Sequence, residues 1–150
     1  MKKIITVVLI AAAFVSCKKD STTTVTPTPA PSSTAARSFT CTINGTAFTA
    51  DSAWYNNFNA GATNIFATKG SGTSLQYFEI NLTGQTTTTY AIPANSFTYL
   101  NATNTYAATG GSLSISTYDM ANRKISGTFT GVTAGSVTIT NGVFTNLPYK

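Results

Sequence analysis

Hydrophobic and polar residues alternate in short runs between residues 37 and 150. In the first run Phe39, Cys41 and Ile43 lie two positions apart, and Asn44-Gly45 follows as a signal for a tight hairpin turn. A period of two is typical of β-strands that bury one face, and clusters of Gly, Asn, Asp and Pro separate the runs. The clearest predicted strands are 39–43, 46–50, 78–82, 86–92, 113–117, 124–130 and 137–144.

This pattern predicts a single all-β domain over residues 37–150. About eight to ten short antiparallel strands fit either a β-sandwich or a lipocalin-like barrel, and periodicity does not separate the two. The last third of the chain reads as a meander of adjacent strands. Residues 52–72 place Trp54, Tyr55 and Phe58 among Asn, Ala and Gly, so strand, short helix and loop all stay open for that segment.

The N-terminal segment has a different pattern. Lys2 and Lys3 precede an apolar run over residues 4–15, which is too short for a bilayer core that takes about 20 residues. A basic start followed by a short apolar run predicts an export signal over residues 1–16. The following residues alternate Thr with Pro and lack core-forming side chains, which predicts a flexible, disordered linker over residues 17–36.

The residues Phe14-Val15-Ser16-Cys17 resemble the lipobox of bacterial lipoproteins. The resemblance implies transfer of a diacylglyceryl group to the Cys17 sulfur, cleavage before Cys17 and acylation of the new amine. Acyl chains contribute about 0.8 kcal/mol per buried CH₂, so several chains anchor a domain to a membrane. This interpretation predicts an outer-membrane lipoprotein that faces the periplasm or the cell surface. The alternative is a plain secretory signal in which Cys17 has no role.

Longer motifs resemble a family of small Bacteroidota lipoproteins over most of residues 38–147. These motifs are the segments 39–45, 111–119, 125–129 (ISGTF) and 137–144 (VTITNGVF). They consist of turn glycines and core hydrophobics, so the resemblance implies a cell-envelope location and a β-sandwich or lipocalin-like barrel, but no mechanism. Asp20-Ser21-Thr22 and Asp51-Ser52-Ala53 also resemble O-glycosylation sites of exported Bacteroidota proteins, which makes Ser21 and Ser52 candidate glycosylation sites.

Charge and reactive residues are scarce. Charged residues make up 9% of the chain, His is absent, and residues 37–150 carry five basic against three acidic residues, a net charge of +2. A nucleic-acid surface needs a basic stripe, so no nucleic-acid partner is predicted. Without His, the Ser-His-Asp and Cys-His routes and the common zinc sites lack their residues. No catalytic residue, metal site or cofactor is therefore predicted, and Cys41 is expected to be a buried, inert thiol.

Binding is the activity that the remaining residues favour. Tyr77 and Tyr118 fall on predicted outward faces, where their rings are candidate stacking platforms for sugars. The leading hypothesis is a non-catalytic envelope module that binds a glycan or a protein. The second hypothesis is a carrier that holds an apolar small molecule inside a barrel. The third, an enzyme, would depend on the three carboxylates Asp51, Glu79 and Asp119.

Overall fold

Two antiparallel sheets contain the eleven strands of the described residues, which are 35–57 and 61–150 of a computed structural model. The strands are β1 (Ser38–Ile43), β2 (Thr46–Thr49), β3 (Ser52–Asn56), β4 (Thr63–Lys69), β5 (Gln76–Leu82), β6 (Thr89–Ala91), β7 (Ser96–Asn101), β8 (Asn104–Ala107), β9 (Gly110–Asp119), β10 (Lys124–Ala134) and β11 (Val137–Pro148). The six-stranded sheet has the order β2-β1-β11-β10-β9-β6, and the five-stranded sheet has the order β3-β4-β5-β7-β8.

The predicted all-β antiparallel fold is confirmed, and the two sheets form a sandwich. They are not closed into a barrel, so the lipocalin-like alternative is wrong. Within the segment 52–72, for which strand, short helix and loop were all possible, Ser52–Asn56 forms β3 and Thr63–Lys69 forms β4. A 3₁₀ turn over Gly72–Ser74 begins at its last residue. The hairpin of β7 and β8 was missed, and the strand predicted over 86–92 is reduced to the three residues of β6.

Phenylalanine rings fill the space between the two sheets. Phe39 on β1 lies 5.3 Å from Phe78 on β5 and 5.4 Å from Phe129 on β10, measured between ring centroids. Phe97 on β7 lies 5.4 Å from Phe129, and each of these rings is at most 1% exposed. Burial on this scale stabilises a domain by about 1.5–3 kcal/mol per side chain. The centre of the sandwich is therefore packed with the protein's own side chains.

Two glycines let the phenylalanines of the six-stranded sheet pack against a neighbouring strand. Gly127 lies opposite Phe144, and Gly142 lies opposite Phe129, across the β10–β11 pair. A Cβ atom at Gly142 would lie under 3.0 Å from the Phe129 ring, and one at Gly127 would lie equally close to Phe144 and to the Ser114 carbonyl oxygen. The repeated Gly-x-Phe spacing in the two motifs thus forms a reciprocal pair, in which each ring covers the other strand's glycine.

Strand β11 changes its pattern of buried residues twice along its length. Asn141 and Asn146 adopt positive φ angles of 52° and 48°, a left-handed conformation that Asn tolerates better than most residues. The register with β1 shifts near Asn141 and the register with β10 shifts near Asn146, as expected for β-bulges. Each bulge adds one residue before the next inward side chain. The buried positions are Val137, Ile139, Gly142, Phe144 and Leu147.

The predicted export signal over 1–16, the lipidation site Cys17, the candidate glycosylation site Ser21 and the linker up to residue 34 lie outside the described residues. Among the residues that are described, no helix has the length and apolar character needed to cross a bilayer.

Candidate functional site

A row of three aromatic rings crosses the outer face of the five-stranded sheet. Trp54 on β3 pairs with Phe66 on β4, and Tyr77 on β5 lies diagonally beyond Phe66. Ring centroids are 5.6 Å apart for Trp54 and Phe66 and 6.1 Å apart for Phe66 and Tyr77. Strand alternation places these rings outward, because the residues on either side of each ring point into the core. We refer to these three residues as the aromatic row.

The rings of the aromatic row are offset from one another. Their planes differ by 22° for Trp54 and Phe66 and by 30° for Phe66 and Tyr77. Nearly parallel rings at these centroid distances overlap only in part, which is the preferred arrangement of aromatic pairs. All three residues are half-buried, so each keeps some exposed surface. The row therefore presents apolar surface that is not fully buried in the core.

Polar groups stand beside the aromatic row on the same face. Glu79 on β5 lies directly opposite Phe66. The Asn81 amide Nδ2 donates to Glu79 Oε1 at 3.2 Å and to Ser96 Oγ at 3.0 Å. This amide links the carboxylate and the hydroxyl into a cluster that retains further acceptor positions and the Ser96 hydroxyl proton. Glu79, Asn81 and Ser96 are called the polar cluster below.

Tyr77 connects the aromatic row to the polar cluster electrostatically. Burial raises the pKa of Tyr77 to about 12, and the negative charge of Glu79 adds to that rise. The phenol therefore keeps its proton at every physiological pH and can donate a hydrogen bond. As predicted, Tyr77 lies on an outward face.

Lys150 borders the other end of the aromatic row. Its ammonium nitrogen lies 4.5 Å from the Trp54 ring centroid, within the range of a cation–π contact. The backbone N–H of Lys150 donates to the Tyr55 carbonyl oxygen at 2.9 Å, and Tyr149 forms a parallel bridge with Tyr55. These bonds hold residues 149 and 150 alongside the edge of β3.

The predicted outward position of Tyr118 is wrong. Ser126 pairs with Thr117 while Gly127 pairs with Ile115, so Ser116 is an extra residue that reverses the facing of the end of β9. Tyr118 consequently points inward, with its ring 6.0 Å from that of Tyr55. Its hydroxyl donates to Asn57 Oδ1 at 2.7 Å and lies 3.1 Å from Thr63 Oγ1. Tyr118 is thus a packing residue and is not part of the aromatic row.

Ser52, the candidate glycosylation site within the described residues, is the first residue of β3 and is half-buried on the outer face. The carboxylate of the preceding residue, Asp51, accepts the Gly70 N–H at 2.8 Å. The tripeptide is therefore ordered at a corner of the sheet, and its modification stays a prediction.

Two cavities open at the ends of the sandwich. One, of about 170 Å³, has Lys69, Gln76 and Tyr99 in its lining, and there the Tyr99 hydroxyl donates to Gln76 Oε1 at 3.3 Å. The other has a volume of about 240 Å³ and is called the end pocket. The lining of the end pocket is formed by Tyr55, Asn57, Met120, Arg123 and Tyr149.

Reactive groups in the described part of the chain are few and dispersed. Cys41 is 5% exposed, as predicted for a buried thiol, and burial raises its pKa to about 12. A thiol with this pKa stays protonated and is a poor nucleophile. Within residues 35–57 and 61–150, no group of three or more potential ligands is placed to hold a metal ion.

Sequence reasoning favoured Tyr77 within a wider set of aromatic residues that included Trp54, and it did not name Phe66. Trp54 lay in the segment of open structure, and Phe66 sits in a run where Ile65 and Ala67 are the buried residues. The signal was present in the spacing of Phe66 against those two residues, but only pairing with β3 and β5 shows that the three rings meet.

Comparisons of the chain with protein-family models, with curated proteins and with solved structures gave no match.

Proposed function

We propose that this protein is a non-catalytic, glycan-binding module of the bacterial cell envelope, anchored in the outer membrane through a lipid on Cys17. The observation that carries the proposal is the combination, on one sheet face, of the half-buried aromatic row with the polar cluster. A sugar ring has apolar C–H faces and equatorial hydroxyls, and it needs both kinds of partner. A solvated sheet needs neither.

The chemistry of the two groups supports the division of work between them. Partly open rings of Trp54 and Tyr77 supply apolar surface for the C–H faces. The Glu79 carboxylate and the Ser96 hydroxyl supply hydrogen-bond partners beside that surface. Hydrogen bonds to a charged group are worth about 1.5–3 kcal/mol, which orients a ligand on an otherwise permissive platform.

The packed interior favours surface binding over the carrier hypothesis. A carrier needs an enclosed apolar cavity, commonly about 300–1,000 Å³. Phe39, Phe97 and Phe129 occupy the space between the sheets and are at most 1% exposed. An apolar ligand would have to displace several core side chains, at a cost comparable with the whole stability of a small domain.

The N-terminal segment fits the same role. Lipid on Cys17 would hold the protein at the membrane, and a Thr- and Pro-rich linker extends by about 3.1 Å per residue where it adopts polyproline conformation. A binding domain on such a tether reaches glycans some distance from the bilayer. We expect Cys17→Ala to move the protein from the membrane fraction to the soluble fraction. Immunoblotting of the two fractions measures this change. A variant that stays in the membrane fraction would contradict the anchor.

Glycan binding can be followed through Trp54, because it is the only tryptophan of the chain. We expect cello-, manno- or galacturono-oligosaccharides to change the fluorescence of the purified protein in a saturable manner. Tyr77→Ser should weaken binding about tenfold, equivalent to about 1.4 kcal/mol. The matched control is Val143→Ser, which removes an exposed apolar side chain from the other sheet.

The control should bind as the unmodified protein does. The proposal fails if none of these oligosaccharides, nor any glycan on an array, changes the fluorescence. It also fails if Tyr77→Ser binds as tightly as Val143→Ser. If the aromatic row binds a protein and no glycan, the proposed ligand class is wrong.

A further inference from the structure

We propose that the end pocket binds the carboxylate of an acidic sugar, so that the glycan recognised by this protein is anionic. This inference rests on the proposed function and names the class of glycan. It is based on the residues of the end pocket, which have no role in the binding surface formed by the aromatic row.

Exposed apolar surface is concentrated at the end pocket. Of the large hydrophobic residues that are exposed in the described part of the chain, Met120 and Tyr149 line this one cavity. Met120 is 59% exposed and Tyr149 is 37% exposed. Exposed apolar residues that cluster around a cavity mark binding sites more often than isolated ones do. They form a wall suited to the C–H bonds of a sugar ring.

Two polar groups of the end pocket, those of Asn57 and Arg123, offer hydrogen-bond donors. Asn57 uses its Oδ1 atom to accept from the Tyr118 hydroxyl at 2.7 Å, so its Nδ2 group is what it offers to a ligand. Arg123 carries donors and no acceptor. A pocket that presents an amide N–H and a guanidinium fits an acceptor-only group, and the carboxylate of a uronic acid is such a group.

Arg123 has no acidic partner in residues 35–57 and 61–150. Its guanidinium lies over the Tyr149 ring, 5.1 Å from the centroid. Asp119, on the same hairpin, instead accepts the Asn122 N–H at 2.9 Å and the Asn122 Nδ2 at 2.7 Å. The charge of Arg123 is therefore available to a ligand.

The backbone at Arg123 is also unusual for this side chain. Its φ angle is +52°, in the left-handed region where Gly and Asn are more favourable. An arginine at that turn position is less favourable than a glycine. The turn itself would favour Gly or Asn at this position. The presence of Arg123 is therefore consistent with a binding role for its charge.

The end pocket and the aromatic row lie on two sides of the same pair of residues. Tyr149 lines the end pocket, and the next residue, Lys150, lies over Trp54 in the aromatic row. A cation therefore borders each site: Arg123 lines the end pocket, and Lys150 lies over Trp54 of the aromatic row. A polysaccharide with an acidic repeat could place a carboxylate in the end pocket while neutral ring faces contact the row.

The test compares trigalacturonic acid with its methyl ester, which has the same rings but no charge. The unmodified protein should bind the acid at least about tenfold more tightly than the ester, measured by calorimetry. Arg123→Asn should abolish that preference, because Asn suits the left-handed backbone but carries no charge. The matched control is Lys124→Asn, which removes a charge from the same hairpin but does not line the end pocket.

Lys124→Asn should keep the preference for the acid. Thermal unfolding of both variants checks that each retains its fold. Equal affinity for acid and ester would overturn this inference, and so would equal losses in the two variants, because diffuse attraction would then explain the result. If the ester binds through Tyr77 without any preference for the acid, the proposed function stands and only this inference fails. If neither sugar nor any other glycan binds, the proposed function fails as well.

Discussion

The two outer faces of the sandwich are built on similar antiparallel strands but carry different side chains. On the six-stranded sheet, strand registers connect a row of outward residues from one edge to the other. This row is Thr49, Thr40, Val143, Thr128, Ser114 and Thr89. Every member except Val143 is a hydroxyl residue. On the five-stranded sheet, the corresponding surface holds the aromatic row and the polar cluster.

This contrast separates what the fold needs from what it does not. Threonine suits a pleated, half-solvated strand and keeps the six-stranded face soluble with almost no charge. Threonine would suit the outer face of the five-stranded sheet equally well, but that face partly exposes Trp54, Phe66 and Tyr77 instead. Apolar area left in water does not stabilise the fold by burial. This difference supports the ligand-binding role that we propose for the aromatic row.

The two sheets also differ in regularity. Every pairing in the five-stranded sheet runs without a register shift, and none of its strands contains glycine. The six-stranded sheet has shifts between β1 and β11, β10 and β11, and β9 and β10. Its strands bend at bulges, and phenylalanine rings pack over Gly127 and Gly142. The proposed binding face thus belongs to the regular sheet.

The largest effect that we expect comes from filling one of these glycine positions. Gly142→Ala should lower the free energy of unfolding by about 3 kcal/mol, because its Cβ would overlap the buried Phe129 ring. The matched control is Gly110→Ala, since a Cβ there meets no atom within 4 Å. It should change stability by no more than about 0.5 kcal/mol. Denaturant unfolding of both variants measures the difference.

Equal stability of the two alanine variants would contradict the reciprocal Gly–Phe packing. The two sheets would then differ in their register shifts but not in a need for glycine.

Sequence pattern alone predicted the fold class because most strands alternate strictly. The run of Phe39, Cys41 and Ile43, the turn at Asn44-Gly45 and the C-terminal meander are confirmed by β1, β2, β9, β10 and β11. The choice between sandwich and barrel was not predictable in this way, because it depends on which strands pair across long stretches of chain. Alternation describes a strand's two faces and does not identify its neighbour.

The candidate site was less predictable, for two physical reasons. One extra residue in a strand reverses every following side chain, so the bulge at Ser116 turned Tyr118 from the outer to the inner face. The other reason is distance along the chain. The end pocket assembles Tyr55, Arg123 and Tyr149, which no local motif connects. Tertiary contacts bring them together, because Tyr149 bridges to Tyr55 and its N–H donates to the Arg123 carbonyl oxygen.

A smaller effect is expected from removing the central ring of the aromatic row. Phe66→Ala should lower the free energy of unfolding by about 1 kcal/mol, since cross-strand aromatic pairs on a sheet surface contribute about 0.2–1 kcal/mol each. Glycan binding should weaken about tenfold in the same variant. Thr128→Ala, at a central outward position of the other sheet, is the matched control and should leave binding unchanged.

The size of the stability loss in Phe66→Ala, measured by denaturant unfolding, shows whether the aromatic row is a surface feature or part of the core. A buried phenylalanine replaced by alanine costs about 3–5 kcal/mol. A loss of that size at Phe66 would mean that the row is an extension of the core, and the difference between the two faces would then be one of packing and not of function.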